Sequence, residues 1–170
     1  MTVKQLNDFD GNSRITKSYD NYKKKTKYTT DYQLDFNIDG RITGQDMTIT
    51  KIVEDDGSKF TFASINFESR DWMRPYEMIF NFDNEMYTVK LEAQQKEVFT
   101  EFGHVRVRER CTFDIQDDFF EKWIAAKNIS YKVYTTNAGS FEKYLPIDKN
   151  GKWSTNYRTF DKILLELLKK

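Results

Sequence analysis

The sequence has few of the residues from which catalytic and metal centres are most often built. Among its 170 residues, Cys111 is the single cysteine and His104 the single histidine. An intrachain disulfide and a cysteine-based zinc cluster are therefore excluded, and any metal site would rest on one imidazole and carboxylates. The 7 glycines are scattered and form neither a phosphate-cradling loop nor a dinucleotide-binding motif. We expect no cofactor and no metal.

Net charge and long apolar runs are also lacking. Lysine and arginine total 27, as do aspartate and glutamate, so no long-range field steers the chain toward nucleic acid or anionic lipid. No run approaches the roughly 20 apolar residues of a membrane span, and residues 1–10 lack the apolar stretch of a signal peptide. We expect a soluble, cytoplasmic protein, or a secreted or surface-anchored one if a leader was removed.

Aromatic residues are abundant, at 16% of the chain, with 14 Phe and 10 Tyr. Their rings suit the pleated, half-buried surface of a strand, so the composition favours β-structure. The length is typical of one domain. We predict a polar N-terminal segment, residues 1–27, that is a tail or an irregular first strand, followed by a single β-rich domain over residues 28–170.

Alternating apolar and polar residues predict strands at 32–38 and 47–53, with Lys51 as an exception to the alternation. The pair Asp56-Gly57 predicts a hairpin turn in which both central residues have positive φ. Beyond that turn the alternation shifts phase, which predicts a β-bulge near residues 63–64.

A second hairpin is predicted over residues 76–91, where two alternating segments flank Asp83-Asn84. After a polar connector at 92–97, a longer strand is predicted over 98–113. One face of that strand is apolar but is interrupted by Glu109.

Two helices complete the predicted fold. Acidic residues at a helix start complement its positive dipole end, so Asp117 and Asp118 indicate a short helix near 117–127. Apolar residues at helical spacing predict a C-terminal helix near 156–169. The fold class is α+β, mostly antiparallel β, with a meander or sandwich-like sheet.

One face of the predicted strand 98–113 is cationic. It carries His104, Arg106, Arg108 and Arg110. Three guanidinium groups in a row could bind an anion or nucleic acid, because each can hold a phosphate with two hydrogen bonds. Alternatively, they pair with acidic side chains on neighbouring strands, which we favour.

A lysine cluster and two tryptophans are further candidate binding residues. Lys23, Lys24 and Lys25 lie among tyrosines, a pattern that holds single-stranded nucleic acid, although lysines also protect exposed sheet edges. Trp72 and Trp153 lie in or beside loops, where large rings anchor partners or cover the core.

Nucleophilic catalysis has little support in the sequence. Cys111 shares the apolar face of its strand and is expected to be buried and unreactive. His104 would act as a general base in a hydrolase only with a carboxylate or a nucleophile within hydrogen-bond reach.

Three stretches resemble small uncharacterised bacterial proteins, some of them lipoprotein-like. These are Tyr19-Asp20-Asn21-Tyr22-Lys23-Lys24-Lys25-Thr26-Lys27-Tyr28, Phe82-Asp83-Asn84-Glu85, and residues 119–134, which contain Ser130-Tyr131-Lys132-Val133. The resemblance implies an antiparallel sheet with a short and a terminal helix. It implies no activity.

We therefore predict a non-enzymatic interaction or binding module whose partner is another protein or a surface ligand. An anion or nucleic-acid binder using the arginine face is the alternative, and an unrecognised hydrolase is the second alternative. Nucleic acid is the less favoured partner, and the sequence does not determine the oligomeric state.

Overall fold

The computed structural model of the chain describes residues 16–33 and 42–145. Within them it has ten strands and one helix. The strands are β1 (Thr16–Asp20), β2 (Lys25–Gln33), β3 (Ile42–Glu54), β4 (Lys59–Ser69), β5 (Pro75–Phe82), β6 (Glu85–Lys90), β7 (Glu92–Glu101), β8 (His104–Asp114), β9 (Ile129–Thr135) and β10 (Ser140–Leu145), and the helix is α1 (Asp117–Ala125). No helix in these ranges has the length and apolar character needed to cross a membrane.

The strands form two antiparallel sheets. A six-stranded sheet has the order β1-β2-β3-β4-β8-β7, and a four-stranded sheet has the order β10-β9-β5-β6. The chain leaves the larger sheet after β4, builds β5 and β6 of the smaller one, and returns with β7 and β8 before α1. This confirms a mostly antiparallel β fold with a short helix, while the predicted C-terminal helix near 156–169 lies outside the described residues.

The core lies between the two sheets and is closed by α1. The helix buries Phe119, Phe120 and Trp123, and its apolar stripe packs against the smaller sheet. Phe80 of β5 is fully buried at the centre. Its ring lies 5.0 Å from Phe119 and 6.1 Å from Trp123, centroid to centroid. Aromatic pairs in such geometry stabilise beyond the area they bury.

The β5–β6 hairpin confirms the prediction for residues 76–91. Asp83 and Asn84 have φ of 51° and 76°, the conformation that a tight two-residue turn needs. The Asp83 carboxylate also accepts hydrogen bonds from the amides of Lys127 and Asn128, at 2.7 and 2.8 Å. These bonds favour the charged form and lower the pKa of Asp83. The turn therefore ties the hairpin to the segment between α1 and β9.

The β3–β4 hairpin forms where predicted but with a different turn. Gly57 has a φ of 89°, whereas Asp56 is not in the left-handed region, and the Gly57 amide donates to the Glu54 carbonyl at 2.9 Å. The prediction of a β-bulge near residues 63–64 is wrong, because β4 pairs there with β3 in regular register. The shift lies on β3, between Gly44 and Met47. Phe60 and Phe62 simply stack on the outer face of β4.

The prediction of one continuous strand over residues 98–113 is also wrong. Residues 92–101 form β7, residues 104–114 form β8, and Phe102 and Gly103 make the turn with φ of 49° and 79°. The polar stretch 92–97 is thus strand, not connector. Its polarity reflects an edge position, because β7 is the last strand of the six-stranded sheet and is almost wholly exposed.

Candidate functional site

The β7–β8 hairpin carries the arginines singled out in the sequence and ends in an apolar tip. Phe102, in the turn, is 94% exposed. Val98 and Val105 lie on one face behind it and are 60% and 63% exposed. They are diagonal neighbours, because Val98 pairs with Val107 and Val105 pairs with Thr100. We call these three residues the hairpin tip.

Arg108, on the other face of the hairpin, is held by two carboxylates. Its Nε and Nη2 donate to Glu68 Oε1 of β4 at 2.7 and 2.6 Å, and its Nη1 donates to Glu97 Oε2 of β7 at 3.3 Å. The hydrogen bond to Glu68 is the main reason that the pKa of Arg108 is raised. The guanidinium also lies 4.8 Å from the centre of the Phe99 ring.

The neighbours of Arg108 are engaged in the same way. Arg110 Nε donates to Asn66 Oδ1 at 3.1 Å, and Arg106 Nε lies 3.9 Å from Glu101 Oε2. His104 is exposed beside the turn, opposite Glu101 in the register. The structure therefore brings the predicted cationic residues onto one face, where strands β4 and β7 provide partners for the three arginines.

Replacing Arg108 by methionine is expected to lower the free energy of unfolding by about 2 kcal/mol, because Glu68 is nearly buried and would lose its cation. Arg110→Met, which removes one bond at a more exposed position, should cost less than about 1 kcal/mol. Urea unfolding of both variants, with the Arg108/Glu68 double-mutant cycle, measures this. Equal effects of the two substitutions would contradict the assignment.

The lysine cluster lies in and beside the turn between β1 and β2. The Asp20 carboxylate caps this turn by accepting from the amides of Tyr22 and Lys23, both at 3.0 Å, which lowers its pKa. Lys23 and Lys24 are exposed, and Lys25 pairs across strands with Asp20 on β1 and Glu54 on β3. Acidic groups thus accompany the lysines.

The two tryptophans have different outcomes. Trp72 is half-buried, with the Lys96 ammonium 5.8 Å from its ring centre, and its carbonyl accepts from the Asn137 side chain at 3.0 Å. It lies in the loop that joins the two sheets, and these contacts connect the loop to β7 and to the turn after β9. Trp153 lies outside the described residues.

Glu109 is a buried carboxylate whose role the sequence pattern did not indicate. It lies on the core face of β8 and is 2% exposed. Its Oε2 accepts from the Met73 amide at 2.7 Å and from the Arg74 amide at 3.1 Å. The side chain thus anchors the loop between β4 and β5 with charge-assisted bonds.

Cys111 is fully buried next to this anchor. Burial and the negative charge of Glu109 raise the pKa of its thiol to about 12. The predicted burial of Cys111 is confirmed, and the raised pKa disfavours the thiolate, which is the reactive form.

Metal binding has no support in the described ranges, where no group of three or more His, Cys, Asp and Glu side chains could hold an ion. Comparison with known proteins gives no match, whether to a family model, a curated protein or a solved structure.

Proposed function

We propose that the chain is a non-enzymatic interaction module that binds another protein through the hairpin tip. The observation that carries this proposal is the exposure of Phe102, Val98 and Val105 together at the end of one hairpin. An exposed phenylalanine flanked by apolar side chains is a typical anchor for a pocket on a partner, because its burial there stabilises the complex.

The edge strand next to the tip supports the same proposal. Proteins protect exposed edges with bulges and inward-pointing charges, and β7 has both in its first half: an irregularity between Ala93 and Gln95, and Lys96 beside Trp72. The second half, from Val98 to Glu101, has neither. A partner could therefore add a strand there while its pocket holds Phe102.

Binding of an anion or nucleic acid by the arginine face is less favoured. A phosphate would have to compete with Glu68 and Glu97 for Arg108, and breaking those bonds would offset the gain. Hydrolysis is less favoured too, because His104 is exposed to water beside a turn. The kinship with uncharacterised bacterial proteins stays a prediction.

Capture from source-cell extract with three immobilised proteins tests the proposal: the wild-type chain, Phe102→Ser and Tyr22→Ser. Tyr22 is the matched control, because it is an aromatic residue 99% exposed in another hairpin turn. We expect one partner protein to be retained by the wild type and by Tyr22→Ser but not by Phe102→Ser. The unfolding free energies of the wild type and the two variants should agree within about 0.5 kcal/mol, because both substitutions are at exposed positions.

Retention of the same proteins by all three would contradict the proposal. So would a concentration-dependent dimer that Phe102→Ser dissociates, since the tip would then serve self-association. Sedimentation velocity of the wild type and the variant distinguishes that outcome.

A further inference from the structure

A second feature, distant in the fold from the hairpin tip, is a cleft at the N-terminal end of α1. Its walls come from β3, β4 and the segment that links β8 to the helix, and its volume is about 560 Å³. This is within the usual range for sites that bind small molecules. We call it the Lys51 cleft after the buried lysine in its wall.

Lys51 is the residue that broke the alternation of β3. It lies on the core face of the strand, between its register partners Tyr28 and Thr61, and is only 5% exposed. Burial is the main reason that its pKa is lowered, and the charges of Lys59 and Asp117, which also line the cleft, act on it. The ammonium therefore lies among the cleft walls.

The Lys51 ammonium has no close partner in the described part of the chain. No hydrogen bond or ion pair joins the Lys51 ammonium to another described residue. The ammonium nitrogen is accessible from the cleft, so an anion that entered the cleft could accept a charge-assisted hydrogen bond from it.

The end of α1 supplies a second attraction for an anion. Gln116 is the N-cap residue but makes no side-chain capping bond, and both Gln116 and Asp117 line the cleft. The Asp118 carboxylate already accepts from one first-turn amide, that of Phe119, at 2.9 Å, so the positive end of the helix dipole adds only a weak further attraction for a negative group.

The surrounding charges and surfaces select the kind of anion. Lys51 and Lys59 are balanced in the cleft walls by Asp114 and Asp117, so one negative charge is accommodated better than two. Phe60, which is 48% exposed, and the more buried Ile115 and Phe120 form the apolar part of the cleft lining. This combination suits a carboxylate attached to an apolar body better than it suits phosphate.

We propose that the Lys51 cleft binds a small organic carboxylate, with Lys51 Nζ donating to the carboxylate and the apolar body lying against the apolar part of the lining, of which Phe60 is the most exposed member. The site is independent of the hairpin tip, so Phe102→Ser should leave it unchanged.

Calorimetric titration of the full chain at constant ionic strength tests the proposal with benzoate, phenylacetate and hexanoate as probes, each up to about 10 mM. Benzamide, a neutral isostere, and inorganic phosphate serve as reference ligands. At least one carboxylate should bind saturably, and benzamide and phosphate should bind about tenfold or more weakly.

The decisive variant is Lys51→Met, which keeps the aliphatic stem and removes the charge. It should weaken carboxylate binding by about tenfold or more, while the exposed Lys90→Met should not change it. In the NMR spectrum, the Cε resonance that disappears in Lys51→Met should be the lysine signal that the carboxylate shifts. Absence of binding by all three carboxylates, tighter binding of phosphate, or undiminished binding by a folded Lys51→Met would each overturn the proposal.

Discussion

Replacing Phe80 by alanine is expected to lower the free energy of unfolding by about 3 to 5 kcal/mol, the largest effect of any single truncation considered. The ring is fully buried, and it contacts side chains from every layer of the core: Phe113 on β8, Phe119 and Trp123 on α1, and Tyr131 on β9. Truncation would leave a cavity that rigid neighbours on three elements cannot fill by relaxing.

Guanidinium unfolding followed by tryptophan fluorescence measures this loss. Phe80→Leu, which retains much of the volume, should cost markedly less and remains measurable if the alanine variant does not fold. Met86→Ala, at a 62% exposed position of the smaller sheet, should change stability by less than about 0.5 kcal/mol. A loss below about 1 kcal/mol for Phe80→Ala would show that the two sheets are not joined through this ring.

Glu109→Ala should produce the second largest loss, about 3 kcal/mol, because the buried amides of Met73 and Arg74 would lose their acceptor. Glu109→Gln keeps the volume and one acceptor oxygen, so its cost should be intermediate. Glu92→Ala, an exposed glutamate on β7, is the matched control and should be close to neutral.

Limited proteolysis separates this local anchor from a general loss of stability. Trypsin should cut Glu109→Ala after Arg70 well below the denaturant concentration at which the variant unfolds, because the loop would open on its own. The wild type and Glu92→Ala should resist. Cleavage of Glu109→Ala only upon global unfolding would contradict the anchoring role.

Features set by neighbouring residues were predictable from the sequence. Asp83-Asn84 marks a two-residue turn because both residues tolerate positive φ, and the turn forms as predicted. Phe102-Gly103 also makes a turn in which both residues have positive φ. The sequence does not predict this turn, because phenylalanine rarely adopts positive φ. The first half of the edge strand β7 is rich in Glu and Gln and shows no apolar alternation, so the sequence predicted a connector there.

Features set by distant residues were not predictable. The partner of Arg108 is Glu68, and only the β4–β8 register brings them together. Lys51 and Glu109 are charged residues that interrupt the apolar alternation of β3 and β8, yet both side chains are buried on the core faces of these strands. A charge that breaks an apolar alternation is therefore a signal worth following, because burial of that charge requires a compensating function or contact.

The strand order also determines how the chain reaches this structure. As the chain is synthesised, β4 emerges next to β3, but its other neighbour, β8, follows only after β5, β6 and β7 have been made. Until then, one edge of β4 offers free amides and carbonyls beside the apolar Ala63, Ile65 and Phe67. Closing such a long-range pair is slow, and the exposed edge of β4 can meanwhile pair with another chain. The yield of folded protein should therefore fall as the protein concentration rises, and chaperones should raise it by protecting the chain until β8 joins the sheet.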